Sequence, residues 1–136
     1  MTAIKIADLD HVVIRARDID ASLGFYCDVL GCAVLRRVER LGLVQMRAGA
    51  SMIDLIDAAD NPPGDARYPG GARNMDHFAL RLESLDVDAI RAHLLGHGIE
   101  MGDVATRFGA KGNGPSVYIT DPDGNVVELK GPATGA

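Results

Sequence analysis

Hydrophobic and polar positions along this chain repeat one pattern twice. Leu9-Asp10-His11-Val12-Val13-Ile14-Arg15 is echoed by Met75-Asp76-His77-Phe78-Ala79-Leu80-Arg81. Both phrases alternate at the two-residue period of a strand. After each, the period lengthens to that of a helix. The first helical pattern opens at Asp18, a suitable N-cap, runs through Ile19, Leu23, Tyr26 and Leu30, and stops at Gly31. The second runs through Val87, Ile90, Leu94 and Leu95 and stops near Gly96 to Gly98. A capping side chain before the apolar period and glycine after it are the expected boundaries. Short strand-like pieces follow each helix, and the copies end on parallel phrases, Met52-Ile53-Asp54-Leu55 and Val126-Val127-Glu128-Leu129.

Each copy therefore reads strand, helix, strand, strand, strand. A βαβββ unit is too small to bury both faces of its sheet alone, so two must cooperate, within one chain or across a dimer. The expectation is one α+β domain over 1–136, its modules at approximately 6–57 and 73–131 joined by a 58–72 linker. The modules should form one curved mixed sheet, a cup with helices outside. Ala58 to Gly71 carries three prolines and three glycines, the composition of a linker. His11 precedes Asp54 by 43 residues and His77 precedes Glu128 by 51. The extra length falls mostly in Met101 to Pro115, glycine-rich and expected to be a loop. Val12, Ile14, Phe78, Leu80, Leu82, Val127 and Leu129 should pack against helix residues such as Leu23, Ile90 and Leu94.

Composition narrows the function classes. The net charge is −5, with acids and bases mixed, and no basic patch or aromatic ladder points to nucleic acid. The start lacks the features of a signal peptide, and no apolar run is long enough to span a bilayer. Cys27 and Cys32, five apart, form neither a CxxC motif nor a disulfide framework. Two reduced thiols in a cytoplasmic protein are expected.

Strand alternation then sorts the polar residues. His11, Val13 and Arg15 share one face, and His77, Ala79 and Arg81 share the matching face of the repeat. Asp54 points opposite to Ile53 and Leu55, as Glu128 does to Val127 and Leu129. Two imidazoles and two carboxylates thus lie on the sheet face away from the helices, inside the cup. Nitrogen and oxygen donors at roughly 2.0–2.2 Å are a first shell for one divalent metal per site, Zn, Ni, Co, Mn or Fe(II). A single strand histidine is ordinarily structural; two at matching positions of a repeat, each with a carboxylate at its matching end, favour a metal. His93 and His97 lie on or just beyond the second helix and read as surface residues.

Leu9-Asp10-His11, Phe25-Tyr26-Cys27-Asp28-Val29-Leu30-Gly31, Asp76-His77 and Asp121-Pro122-Asp123-Gly124-Asn125-Val126-Val127-Glu128-Leu129 together resemble the glyoxalase I, bleomycin-resistance and dioxygenase superfamily, the vicinal oxygen chelate proteins. The resemblance covers almost the whole chain. In DPDGN the physical content is a turn: Pro122 fixes its backbone, and Gly124 or Asn125 accepts positive φ before the last strand. The resemblance implies metal ligands at His11, His77 and Glu128. Asp54 stands where glyoxalase I has the longer glutamate, which leaves three- and four-ligand sets open. It further implies a lyase or isomerase acting on a small substrate that chelates the metal through vicinal oxygens, with Glu128 as base. Glutathione or another thiol would be the cosubstrate.

Arg15 matches a glyoxalase arginine that anchors glutathione, although the asparagine expected soon after the second ligand is absent, with Ala58 nearest. Gly112 to Tyr118 resembles the phosphonate-binding strand of fosfomycin-resistance enzymes, apart from Pro115 where an arginine is usual. Ser116, Tyr118, Lys111 and Arg81 complete the substrate-binding candidates, and Arg15 and Arg81 also have a structural reading as partners of Asp54 or Glu128. The resemblance also implies a homodimer with shared active sites, His11 and Asp54 from one chain and His77 and Glu128 from the other. The alternatives are an Fe(II) dioxygenase, a fosfomycin-type transferase or hydrolase, and a non-catalytic drug-binding protein.

Overall fold

The carboxylates of Asp18 and Asp86 each accept a backbone N–H from the first turn of a helix, from Ala21 at 3.0 Å and Ala89 at 3.2 Å. Both caps come where the sequence changes period. A computed structural model describes residues 6–58, 75 and 77–135 and divides the chain into two units, Met1–Pro63 and Gly64–Ala136. Most of the expected 58–72 linker, with Asp76, lies outside the described residues.

The first unit contains β1 (His11–Ala16), α1 (Ile19–Leu23), β2 (Ala33–Val38), β3 (Leu43–Ala48) and β4 (Ser51–Asp57), with sheet order β1-β4-β3-β2. The second contains β5 (His77–Arg81), α2 (Val87–Gly96), β6 (Ala105–Gly109), β7 (Gly112–Thr120) and β8 (Val126–Lys130), with order β5-β8-β7-β6. Each unit is a βαβββ module whose first and last strands pair in parallel while the other pairs are antiparallel. No helix among the described residues is long and apolar enough to cross a membrane.

The first helix departs from the expected single α-helix. After Leu23 it widens into a π-helix over Gly24–Val29, with Leu30 N–H donating to Phe25 O at 3.1 Å. The wider turn buries the adjacent Phe25 and Tyr26 together, ring centroids 5.0 Å apart in edge contact. Gly31, at φ 82°, ends the helix as its position in the pattern anticipates.

The apolar faces behave as alternation requires, with a gradient across each sheet. Ile53, Leu55, Val127 and Leu129 on β4 and β8 are buried, as are Val44, Met46, Val117 and Ile119 beside them. Ile14 and Leu94 are buried too, whereas Val12, Phe78, Leu80, Leu82, Leu23 and Ile90 are only half-buried. The strands β1 and β5 are the outer members of their sheets, so their residues are covered from fewer sides.

Met101 to Pro115 is not a loop but largely a hairpin, β6 turning into β7. Its glycines have positional reasons. Gly112 takes φ 111° at the turn, the Lys130 side chain lies against Gly109, and the backbone carbonyl of Pro132 lies against Gly114.

Candidate functional site

The registers of the two modules coincide. His11 pairs with Met52 and Asp54 stands two residues beyond Met52; His77 pairs with Val126 and Glu128 stands two beyond Val126. Since side chains on a strand alternate, each histidine shares a face with its carboxylate. On the next strand, Gln45 pairs with Asp54 and Tyr118 with Glu128. The faces carrying these residues are opposite to those carrying Ile14, Ile53 and Leu55, or Val127 and Leu129.

In the second module, His77 Nε2 lies 3.3 Å from Glu128 Oε1, and Glu128 is buried. The His77 ring stands edge-on to Tyr118, centroids 5.2 Å apart. The β7–β8 turn holds Glu128 in this register. Buried Asp121 accepts through Oδ1 from the backbone N–H of Asp123 (2.9 Å) and Asn125 (2.7 Å), and through Oδ2 from Asn125 Nδ2 (2.9 Å). Gly124, not Asn125, takes the positive φ, 82°.

In the first module, His11 Nδ1 meets Asp10 Oδ2 at 2.8 Å, the type of contact that fixes a tautomer and leaves Nε2 for another partner. Asp54 is 3% exposed; its Oδ2 accepts from Gln45 Nε2 at 3.1 Å, while Oδ1 is buried with no hydrogen-bond partner. A buried carboxylate oxygen left bare costs about 1–3 kcal/mol or more unless a cation or donor reaches it. Among the described residues no three His, Cys, Asp or Glu side chains gather into one cluster. The donors themselves suit a divalent metal. The second module sets an imidazole nitrogen against a carboxylate oxygen, and the first holds a buried carboxylate oxygen without a hydrogen bond; both are donor types that divalent metals take.

The remaining candidates fall in different places. Ser116 and Tyr118 lie on the Glu128 face of β7, Ser116 fully buried. Arg81 shares that face on β5, opposite Lys130, and Arg15 is the equivalent residue of β1. Lys111 is exposed in the β6–β7 turn, off the strand ladder. His93 and His97 are exposed and meet edge-on, ring centroids 5.0 Å apart. Cys27 and Cys32 are free thiols. Burial, then the nearby Cys27, pushes Cys32 up to about 11, which disfavours it as a nucleophile.

Sequence reasoning missed Arg107, whose guanidinium lies 4.2 Å over the Tyr118 ring and donates from Nη1 to Ser116 O (2.8 Å) and Oγ (2.9 Å). It stood in a segment taken for a loop. Once β6 is a strand, alternation puts Arg107 on the face of Ser116 and Glu128. Lys130 was also missed, although it stands two residues after Glu128 on the same strand and face.

A family model described as the Glyoxalase/Bleomycin resistance protein/Dioxygenase superfamily matches residues 8–129. A catechol-2,3-dioxygenase of Bacillus subtilis is 28% identical over 95% of this chain, which spans only 43% of that enzyme's length. A probable lactoylglutathione lyase of Synechocystis is 30% identical, with 88% of this chain and 91% of the relative covered. A Salmonella typhimurium virulence protein is 31% identical over 89% of this chain and 81% of its own. The crystal structure of that protein superposes with a TM-score of 0.74, covering 96% of this chain and all of the other.

Proposed function

Because the chain belongs to the Glyoxalase/Bleomycin resistance protein/Dioxygenase superfamily, we propose that it is a metal-dependent lyase or isomerase of the glyoxalase I kind. Its substrate is a small molecule presenting two neighbouring oxygens. The carrying observation is the 3.3 Å approach of His77 Nε2 to the buried Oε1 of Glu128, repeated in register by His11 and Asp54.

In this reading His11, His77 and Glu128 hold the metal, and the bare Oδ1 of Asp54 supports a fourth ligand despite its shorter side chain. When bound, the metal supplies Lewis-acid polarisation of substrate oxygens. The Glu128 carboxylate takes the proton from the adjacent carbon and returns it, because such transfer needs a carboxylate within hydrogen-bond reach. Tyr118, paired with Glu128 across the ladder and edge-on to His77, keeps the imidazole oriented and shields one side of the base. Arg15 and Arg81 bind the far parts of the substrate, with Ser116 and Lys111 as further contacts.

The site is shared in a homodimer, one protomer giving His11 and Asp54 and its partner giving His77 and Glu128; a two-fold contact is the commonest oligomer geometry. Light scattering should report a dimer at micromolar concentration, and a metal-loaded monomer would rule sharing out. Elemental analysis of protein purified without added metal tests the reaction class. Nickel, cobalt or zinc is the expected result, and stoichiometric iron would move the assignment to the dioxygenase reaction named for the Bacillus relative.

A further inference from the structure

His93 and His97 lie at the C-terminal end of α2, and both are exposed. Residues at this spacing stand one turn apart on the same helix face. Their rings converge, with centroids 5.0 Å apart and planes at 65°. The backbone beneath them is tied down. Gly98, at φ 72°, closes the helix; its N–H donates to Leu95 O at 3.0 Å, and that of Ile99 donates to Leu94 O at 2.9 Å. Leu94, which follows His93 directly, is buried and anchors this turn to its module. His97, the C-cap residue, is therefore held in place beyond His93 and only the side-chain torsions of the pair remain to be set.

From this convergence we infer that His93 and His97 form a peripheral metal site, a two-imidazole chelate for a late first-row divalent cation. Imidazole is the commonest protein metal ligand, and two of them four apart on one helix face is a spacing that holds zinc. A cation bonded to one nitrogen of each ring at roughly 2.0–2.1 Å lies about 3.2 Å from each ring centre, so centroids 5.0 Å apart subtend about 100° at it. That angle suits tetrahedral zinc and adjacent corners of square-planar copper(II). The carbonyl end of the helix dipole favours positive charge at the same place. With nitrogen donors the site prefers copper(II), then nickel and zinc, over magnesium and calcium. Water fills the remaining positions, and binding stabilises the last turn of α2. The inference does not rest on the proposed function, because the pair shares no residue with the strand-borne ligands.

The test is a titration of the full chain with zinc, followed by the imidazole proton resonances of its histidines. His93 and His97 should shift together along one saturable curve. His93→Asn should weaken the binding sensed at His97 about tenfold or more, because the second donor acts at high effective concentration. Both side chains are exposed, so this variant should keep the wild-type backbone amide spectrum. His77→Ala, which removes a donor of the strand-borne site, should leave the His93 and His97 curve unchanged. Absence of saturation at the pair, different midpoints for the two rings, or unchanged affinity at His97 in His93→Asn overturns the site. Zinc shifts at His93 and His97 without any at His11 and His77 would instead overturn the proposed function and leave this site standing.

Discussion

His77 Nε2 and Glu128 Oε1 face each other at 3.3 Å, held by parallel strands in which Glu128 stands two residues beyond the partner of His77. A nitrogen and a carboxylate oxygen fixed in this way need little rearrangement to share a cation. His77→Ala removes one strong donor. It should lower metal affinity by more than the roughly 10–100-fold typical of losing an outer-shell partner. Titration with nickel or zinc, read by calorimetry, checks this.

Asp54 Oδ1 is the buried polar side-chain atom left without a hydrogen bond among the described residues. In the metal-free protein Asp54→Asn should raise stability by about 1 kcal/mol, because the bare charge is gone. The rise in melting temperature on adding metal should then be smaller than in the wild type. Equal metal-induced shifts in the two proteins would show a three-ligand site.

Asp121 ties the β7–β8 turn together through three hydrogen bonds at 2.7–2.9 Å. Asp121→Ala leaves those donors bare and should destabilise the protein by about 1–3 kcal/mol in urea denaturation. Because the turn sets the register of β8, metal affinity should fall as well.

Cys32, raised to about 11 by burial and by Cys27, stays protonated near neutrality. At pH 8 it carries about a hundredfold less thiolate than an ordinary thiol. Alkylation of the folded protein by iodoacetamide should be correspondingly slow at Cys32, accelerate as pH rises toward 11, and reach the normal rate on denaturation.

Much of this was legible because two periodicities were in phase. Period two in Leu9 to Arg15 and in Met75 to Arg81 put each histidine on the face opposite the apolar row, and the parallel ladders put Asp54 and Glu128 on the same faces. The cap at Asp18 was readable for the same local reason, and Asp86 caps the second helix in the same way. What failed was local composition overridden by packing. Gly109, Gly112 and Gly114 suggested a loop, yet they serve a hairpin in which Lys130 approaches the backbone. The π-helical turn at Gly24–Val29 was invisible because an α-helical pattern also accommodates Phe25 and Tyr26 until both must be buried. Asp121 read simply as the start of a turn, since nothing in the spacing of DPDGN reveals how many N–H groups one carboxylate will collect.

In the proposed lyase or isomerase reaction Glu128 is the group that moves the proton. The direct measurement is the rate at which nickel-, cobalt- or zinc-loaded wild type and Glu128→Gln convert the glutathione hemithioacetal of an α-oxoaldehyde, with bound metal quantified in both. Wild type should turn over only when loaded, and Glu128→Gln should lose at least about 100-fold in kcat at equal metal occupancy, the scale of removing a general base. Equal turnover by loaded Glu128→Gln and loaded wild type would show that Glu128 is not the base.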